Sequence, residues 1–233
     1  MSAVHHVVVA IPARDEQTLL PACLRSVSTA AGVLLRARPG IRLSVAVALD
    51  GCTDRSAQVA QAWDVASVTL PGEGVGAARD AAVELGLATL HHPPERSTWV
   101  ACTDADTVVP SHWLLRHVMW AERGADLVVG TAEPVGVAHV EALAAWHARH
   151  QLVEGHTHVH GANLGVRADR WRQVGRFGPR SVGEDVELVQ RVRAVTDRWV
   201  ATDTTRVLTS GRAQSRVEDG FAGYLHDLDA ETG

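Results

Sequence analysis

The stretch TWVACTDAD, residues 98–106, is the most informative part of the chain. Its first six residues are largely apolar or β-branched and predict a buried strand, residues 98–103. Two carboxylates, Asp104 and Asp106, follow at once and are one residue apart. Carboxylates at a strand tip predict a site for Mg²⁺ or Mn²⁺, which prefer hard oxygen ligands and in turn hold diphosphates. A surface turn is the alternative, because aspartate is common in turns.

Outward from this stretch, short apolar runs alternate with helical patterns, which predicts a mostly parallel α/β sheet with helices on both faces. The predicted strands are residues 7–11, 43–49, 67–70, 98–103, 126–131, 199–202 and 206–209. The predicted helices are residues 16–31, 55–62 with Asp54 as N-cap, 76–90, 113–124, 140–153, 167–175, 184–195 and a short one at 221–228. A length of 233 residues fits one such domain, residues 1–233.

Composition excludes several classes of protein. A net charge of −5 argues against a non-specific nucleic-acid binder, which usually carries a basic balance. The three cysteines, Cys23, Cys52 and Cys102, form no CxxC pair and predict a reducing compartment without a disulfide framework. The first residues do not resemble a signal peptide, and no run approaches the ~20 apolar residues that span a bilayer. We therefore expect a cytoplasmic protein, with peripheral membrane contact left open.

Polar or glycine-rich groups follow each early strand at its C-terminal end. They are residues 12–16, Asp50, residues 71–74, the pair Asp104 and Asp106, and Glu133. Ligands of open α/β sheets bind outside the carboxyl ends of the strands. The sequence therefore predicts a ligand crevice along this edge of the sheet.

Six segments resemble, in the same order, the motifs of the family 2 glycosyltransferases of the GT-A fold. They are VVVAIPARDE (7–16), ALDGCTD (48–54), GVGAARD (74–80), TDAD (103–106), VHGANLGVR (159–167) and GEDVEL (183–188). Asp15 and Asp80 stand where the family usually has asparagine. The Q-x-x-R-W motif of processive members is not found after Asp185, which argues against a membrane-embedded polysaccharide synthase.

The resemblance implies transfer of a sugar from a nucleotide-diphosphate sugar to an acceptor hydroxyl, with Mn²⁺ or Mg²⁺ as cofactor. It implies a nucleotide-sugar half (4–110), an acceptor and catalytic half (111–200) and a C-terminal tail (201–233). Asp50 would accept a hydrogen bond from the base, so a UDP-sugar is the expected donor. Asp106 would bind the metal directly, with Asp104 on the metal or the ribose. The other residues implied to bind the nucleotide sugar are Pro12, Ala13, Arg14, Glu16 and Arg79.

On the catalytic side, the resemblance implies that Asp185 is the general base and that Glu184 orients the acceptor or holds the loop. An inverting reaction would follow. The alternative is that both residues only cap a helix, because acidic groups stabilise a helix N-terminus. The loop residues His160, Gly161 and Asn163 would face the donor sugar or the acceptor.

Other interpretations of particular residues stay open at this point. His156, His158 and His160 would share one face of a strand and could form a zinc site, or they could be a polar face of the acceptor loop. Arg79 could be a solvated helix residue. The third protein ligand of the metal is not identified, and His226 is one candidate.

Three other functions compete with the transferase. The sequence GEGVGA, residues 72–77, matches the dinucleotide-binding pattern of oxidoreductases, but it follows the third strand and not the first. A sugar-1-phosphate nucleotidyltransferase would open with a glycine-rich basic loop, and residues 11–18 contain no glycine. A non-catalytic sugar-nucleotide-binding module could lack the base, which makes intact Glu184 and Asp185 evidence against it.

Overall fold

The computed structural model describes residues 3–63, 65–137, 140–178 and 183–212. Within these ranges the strands are β1 (His6–Ala13), β2 (Arg42–Asp50), β3 (Ala66–Leu70), β4 (Thr98–Cys102), β5 (Thr107–Val108), β6 (Leu127–Val135), β7 (Leu164–Arg167) and β8 (Trp199–Ser210). The helices are α1 (Leu20–Ala37), α2 (Ser56–Ala62), α3 (Val75–Thr89), α4 (Trp113–Glu122), α5 (Val140–Arg149), α6 (Ala168–Gln173) and α7 (Glu184–Arg193). Short 3₁₀ turns lie at Glu95–Ser97 and Gly161–Asn163.

The described strands form one sheet in the order β3-β2-β1-β4-β7-β6-β8-β5. The pairs β1–β2, β1–β4, β2–β3 and β6–β8 are parallel, whereas β7 runs against both β4 and β6. Two reversals restore the direction, so β6 and β8 point the same way as β1, β2 and β4. The chain therefore leaves all five strands at one side of the sheet, after Ala13, Asp50, Cys102, Val135 and Ser210. We call this side the carboxyl edge.

Alternation along the strands builds a core on each face of the sheet. In β1, Val7, Val9 and Ile11 join the cluster covered by α1 and α4, while Val8 and Ala10 join the cluster covered by α3, α6 and α7. Successive side chains of a strand point to opposite faces, which explains why a fully apolar strand serves both layers. The predicted α/β sheet with helices on both faces is confirmed.

Two strands were predicted where the structure has one. β8 is continuous from Trp199 to Ser210, but its register with β6 jumps from Gly130↔Thr202 to Ala132↔Val207. Residues 203–206 therefore bulge opposite Thr131, whose hydroxyl donates to Asp203 Oδ1 at 2.6 Å. The polar residues that indicated a break are the bulge itself.

The first helix also differs from its prediction of residues 16–31. Residues 16–19 form a turn in which the N–H of Leu19 donates to the carbonyl of Glu16 at 3.1 Å, and α1 begins only at Leu20. The helix then continues past Gly32 to Ala37, because Leu34 still has a buried position to fill. Strands β5 and β7 were not predicted. The remaining described elements end within four residues of their predicted bounds.

The predicted helix 221–228 and the candidate metal ligand His226 lie outside the described residues. None of the helices in the described ranges combines the length and the apolar character that crossing a membrane requires.

Candidate active site

The carboxyl edge collects most of the side chains that the sequence motifs singled out. Residues 14–16 follow β1, Asp50 ends β2, and Asp104 and Asp106 follow β4. Because β7 is antiparallel, residues 160–163 enter it from the same edge, with Leu164 opposite Cys102 of β4. The topology therefore explains why motifs more than a hundred residues apart meet in one place.

A buried arginine joins two of these motifs. Arg79, in α3, is 3% exposed. Its Nη2 donates to Asp104 Oδ1 at 2.6 Å, and its Nη1 forms a short hydrogen bond with Glu184 at the start of α7. Burial opposes the charge of Arg79, but the carboxylates of Asp104 and Asp185 outweigh it and raise the pKa of the guanidinium. Arg79 is therefore not a solvated helix residue, which was the alternative interpretation. Glu184 is buried and fixes Arg79 through their hydrogen bond.

A second arginine, Arg212, lies beside the other aspartate of the pair. It follows β8, donates from Nη1 to Glu16 Oε2 at 2.9 Å, and forms a short ion pair with Glu16 through Nη2. The same Nη2 lies 3.3 Å from Asp106 Oδ2. Glu16 is itself buried, 6% exposed. Glu16 and Asp106, which come from different strands, therefore share one cation.

Asp106 carries the electrostatic signature of a cation site. The pKa of Asp106 is raised to about 6, mainly by burial and also by the negative charges of Asp104 and Glu16, against the opposing effect of Arg212. Carboxylates whose charges act on one another in this way are stabilised by added positive charge. Their hard oxygen atoms are the donors that Mg²⁺ and Mn²⁺ prefer, so the residues present fit such an ion.

Among the described residues, Asp15, Cys52 and Asp54 are the one set of three whose ligand atoms lie within 4.8 Å of one another, and the carboxylates of Glu16, Asp104 and Asp106 do not come that close together. The carboxylates of Asp15 and Asp54 already accept protein hydrogen bonds. Asp15 Oδ1 accepts from the N–H of Thr53 at 2.7 Å, and Asp54 Oδ1 accepts from the N–H of Ser56 at 2.9 Å. The first bond ties the loop after β1 to the segment before α2. The prediction of Asp54 as the N-cap of this helix is wrong, because Arg55 is the N-cap residue, although Asp54 accepts a hydrogen bond from the first N–H of α2. We therefore regard Asp106 as the better candidate for a ligand of the metal ion.

Asp50 is turned toward the protein. Its carboxylate is 3% exposed and accepts from the N–H groups of Gly72, Glu73 and Gly74 at 3.0, 2.7 and 2.9 Å. In a dinucleotide-binding protein these N–H groups would have to bind a phosphate. Here they bind the carboxylate of Asp50 instead. An ionised carboxylate has about four acceptor positions, so these three bonds leave one unused.

The candidate base, Asp185, lies in the first turn of α7 and contacts the glycine-bearing loop of residues 159–167. Its Oδ2 accepts from the N–H of Gly161 at 2.6 Å, and its Oδ1 accepts from the N–H of Val186 at 2.7 Å. The second bond is of the helix-capping kind, and the first is a tertiary contact. A Cβ added to Gly161 would collide with the guanidinium of Arg79, which explains a glycine at this point.

Asn163 is fully buried, which does not suit the predicted contact with a sugar. Its Nδ2 donates to the carbonyls of Thr131 and Thr205 at 2.8 and 2.7 Å, and its Oδ1 accepts from Trp113 Nε1 at 2.9 Å. All of its principal hydrogen-bonding positions are directed into the protein. This geometry favours a structural role, in which Asn163 fixes β6 and β8 beneath the loop.

The ring nitrogens of His156, His158 and His160, all in the described part of the chain, do not come within 4.8 Å of one another, so these histidines are not arranged as a zinc cluster. Their segment is not a strand, so the one-face argument fails. His156 Nε2 lies 3.2 Å from the carbonyl of Val129, and the ring of His158 lies 4.5 Å from that of His150. Burial, with a smaller contribution from His150, lowers the pKa of His160 to about 3, so this ring is neutral near pH 7.

The other predicted nucleotide-binding residues divide by exposure. Pro12 and Ala13 are buried at the end of β1, while Arg14 is exposed at the carboxyl edge. Arg14 therefore lies where a ligand could reach it, whereas Pro12 and Ala13 shape the turn behind it.

The model of the family described as glycosyl transferase family 2 matches residues 8–163. The chain belongs to that family. The family predicted from the motifs is confirmed, and so is the enzyme class, a glycosyltransferase. No curated protein matches the sequence.

Solved glycosyltransferases share the fold. The mannosyltransferase PcManGT from Pyrobaculum calidifontis, in complex with GDP-Man and Mn²⁺, is 18% identical over 100% of this chain and 62% of its own, with a TM-score of 0.66. The fragment 1–349 of S. aureus TarS is 13% identical over 89% of this chain and 61% of its own length, with a TM-score of 0.63. A TarS complex with UDP is 14% identical over 97% and 70%, with a TM-score of 0.63. These neighbours confirm the GT-A fold, and the chain spans less than two thirds of the first two.

Sequence reasoning missed Arg212, which no motif contains. The signal was its position two residues after the last strand, at the edge where the acidic tips were already predicted to meet. It also missed the ring stack of Trp146 on His150, with centroids 4.5 Å apart and planes 2° from parallel.

Proposed function

We propose that this glycosyltransferase moves a sugar from a nucleotide-diphosphate sugar to an acceptor hydroxyl at the carboxyl edge, with Mn²⁺ or Mg²⁺ as cofactor. A UDP-sugar is the expected donor, and the reaction is non-processive. The observation that carries the proposal is the convergence of Glu16, Asp104 and Asp106 with two arginines at the edge where the family motifs meet.

Asp106 and Asp104 would hold the metal, whose chemistry is to neutralise the diphosphate as it leaves. Arg79 keeps Asp104 in place and adds fixed positive charge close to the same spot. The one acceptor position left on Asp50 suits an N–H of the base, as uracil offers. The neighbours solved with UDP and with GDP-Man make both nucleotides worth testing.

Asp185 is the proposed base. A base must reach the proton that it removes, and Asp185 is partly exposed on the loop side of the site. The N–H of Gly161 fixes Oδ2 at 2.6 Å, so the carboxylate is aimed before any acceptor binds. Attack of the acceptor oxygen on the anomeric carbon, opposite the leaving diphosphate, would invert the configuration.

Calorimetric titration of UDP, GDP and dTDP, with and without Mn²⁺, tests the donor side of this proposal. We expect one nucleotide to bind in a metal-dependent way. In Asp106→Asn that binding should weaken by more than the roughly 10–100-fold that loss of an outer-shell partner causes. Asp169→Asn removes the same charge from α6 and should leave the binding unchanged.

Absence of nucleotide binding with any metal would contradict the proposed roles of Asp50 and Asp106. Binding without turnover of any nucleotide sugar would instead favour a non-catalytic binding module. Release of the nucleoside diphosphate from a set of UDP- and GDP-sugars separates these two outcomes.

A further inference from the structure

Arg212 lies against two carboxylates of the proposed metal site. Its guanidinium is 27% exposed and faces two carboxylates, Glu16 and Asp106, whose side chains are only 7% and 17% exposed. The fork meets both oxygens of Glu16, and one of its nitrogens also lies 3.3 Å from Asp106 Oδ2. The Oδ1 of Asp106 faces the hydroxyls of Thr107 and Thr209, each at 3.5 Å. Oδ2 is therefore the oxygen that Arg212 and an incoming cation would share.

We propose that Arg212 is the built-in counter-cation of the metal site. It neutralises Glu16 and Asp106 while no divalent ion is bound, and it must leave Asp106 Oδ2 before the ion can coordinate that atom. The proposal rests on the proposed function for the placement of the metal at Asp106. It assigns Arg212 a positioning role, because the residue acts through the carboxylates.

Physical chemistry favours competition between the two cations. An arginine side chain stays protonated under all ordinary conditions, so it cannot yield by losing its proton. Two positive groups on one carboxylate oxygen would repel each other at short range. Binding of the ion therefore includes the cost of breaking the contact between Arg212 and Asp106.

The displaced guanidinium has an obvious next partner. Its contact with Glu16 keeps it beside the metal position, where the diphosphate of a donor would lie, and an arginine fork binds phosphate as well as carboxylate. Donor and metal would then bind cooperatively, because a contact between Arg212 and the diphosphate would replace the contact between Arg212 and Asp106 that the metal breaks. The free protein should in turn bind the ion weakly.

Titration of the intact protein with Mn²⁺ alone, followed by the EPR signal of the free ion, tests the competition without any activity. We expect Arg212→Gln to bind Mn²⁺ roughly tenfold more tightly than the unaltered protein, as loss of one charge-assisted contact implies. Arg212→Lys keeps the charge and should give a smaller gain. Arg36→Gln, at the far end of α1, removes the same charge and should change nothing. Thermal melting of each variant confirms that it is folded.

Unchanged or weaker Mn²⁺ binding in a folded Arg212→Gln, while the unaltered protein binds the ion, would overturn this inference and leave the proposed function intact. Absence of Mn²⁺ binding in both proteins would overturn the inference and the metal part of the proposed function together. Tighter binding in Arg212→Gln that Asp106→Asn abolishes would support both.

Discussion

Three aspartates of the candidate site look alike in the sequence but have different partners in the structure. Asp50 is closed by three backbone amides, Asp106 is held by one arginine, and Asp185 is aimed by the N–H of Gly161. Sequence motifs identified all three. The number of acceptor positions that each carboxylate has left for a ligand could not be predicted from the sequence, because it depends on the backbone amides of distant loops.

Replacement of the proposed base, Asp185→Asn, should lower kcat by about 100-fold or more, the range of general base catalysis, because an amide cannot take the proton. Metal-dependent nucleotide binding should stay within about twofold, since Asp185 makes no contact with Asp104 or Asp106 in the bonds described above. Glu187→Gln, in the same helix, is the matched control. Equal loss of kcat and of nucleotide affinity would point to a structural role.

Asn163 should matter for stability. In Asn163→Ala the carbonyls of Thr131 and Thr205 and the indole N–H of Trp113 would lose the side chain with which they form hydrogen bonds. Each unsatisfied buried group costs about 1–3 kcal/mol, so we expect the free energy of unfolding to fall by at least about 3 kcal/mol. Urea unfolding measures it, with the exposed amide change Gln190→Ala as control. A loss below about 1 kcal/mol would show that Asn163 is not the tie that its contacts suggest.

At the scale of elements, α4 packs a histidine into the core. His117 is fully buried between Trp99 and Trp113, with ring centroids 6.2 and 5.0 Å away. Burial lowers the pKa of His117 from 6.5 to about 4. Below pH 6.5 the unfolded chain takes up a proton at this residue and the folded chain does not, so acid should favour unfolding until the pH reaches about 4.

Between pH 7 and pH 5 this linkage should cost about 2 kcal/mol of stability. His117→Gln should lose that part of the pH dependence, whatever its effect at pH 7. Urea unfolding at the two pH values measures the difference, and His112→Gln, an exposed histidine next to the same helix, should keep the slope of the unaltered protein. An identical slope in His117→Gln would mean that other groups carry it.

The edge of the sheet opposite the site is tied by one buried carboxylate, Asp126, which precedes β6. It accepts from Arg170 of α6 at 3.1 Å and from Arg198, before β8, at 2.8 Å, and it lies 3.5 Å from Arg167 at the end of β7. Burial raises its pKa, but the hydrogen bonds from Arg198 and Thr196 and the nearby arginines outweigh it, so the net pKa is lowered.

Asp126→Asn should lower the free energy of unfolding by about 3 kcal/mol, because it removes the counter-charge of the buried Arg167 and of the partly buried Arg170. Nucleotide affinity should not change, since the carboxyl edge lies at the other side of the sheet. Chemical unfolding and calorimetry measure the two quantities, with the exposed Asp197→Asn as control. Weaker nucleotide binding would show that the two edges are coupled.

At the scale of the whole molecule, the fold was predictable because the parallel strands end in recognisable motifs. Residues 7–16, 48–54 and 103–106 had to meet once β1, β2 and β4 were parallel neighbours. The sequence placed Arg212 after the last strand, but its contact with Asp106 was not predictable, because that contact depends on β7, a four-residue strand that reverses direction between β4 and β6. The register shift in β8 was not predicted from the sequence, because the polar residues of the bulge look like a turn between two strands.

We propose that the cation of this transferase binds at Asp106 and not at the cluster of Asp15, Cys52 and Asp54. Crystals grown with Mn²⁺ and the nucleotide that binds most tightly would show the ion by its anomalous scattering. We predict a peak about 2.0–2.2 Å from a carboxylate oxygen of Asp106, close to the range for small divalent ions, with Arg212 withdrawn from Oδ2. A peak between Asp15 and Asp54, with Arg212 still on Asp106, would contradict the account.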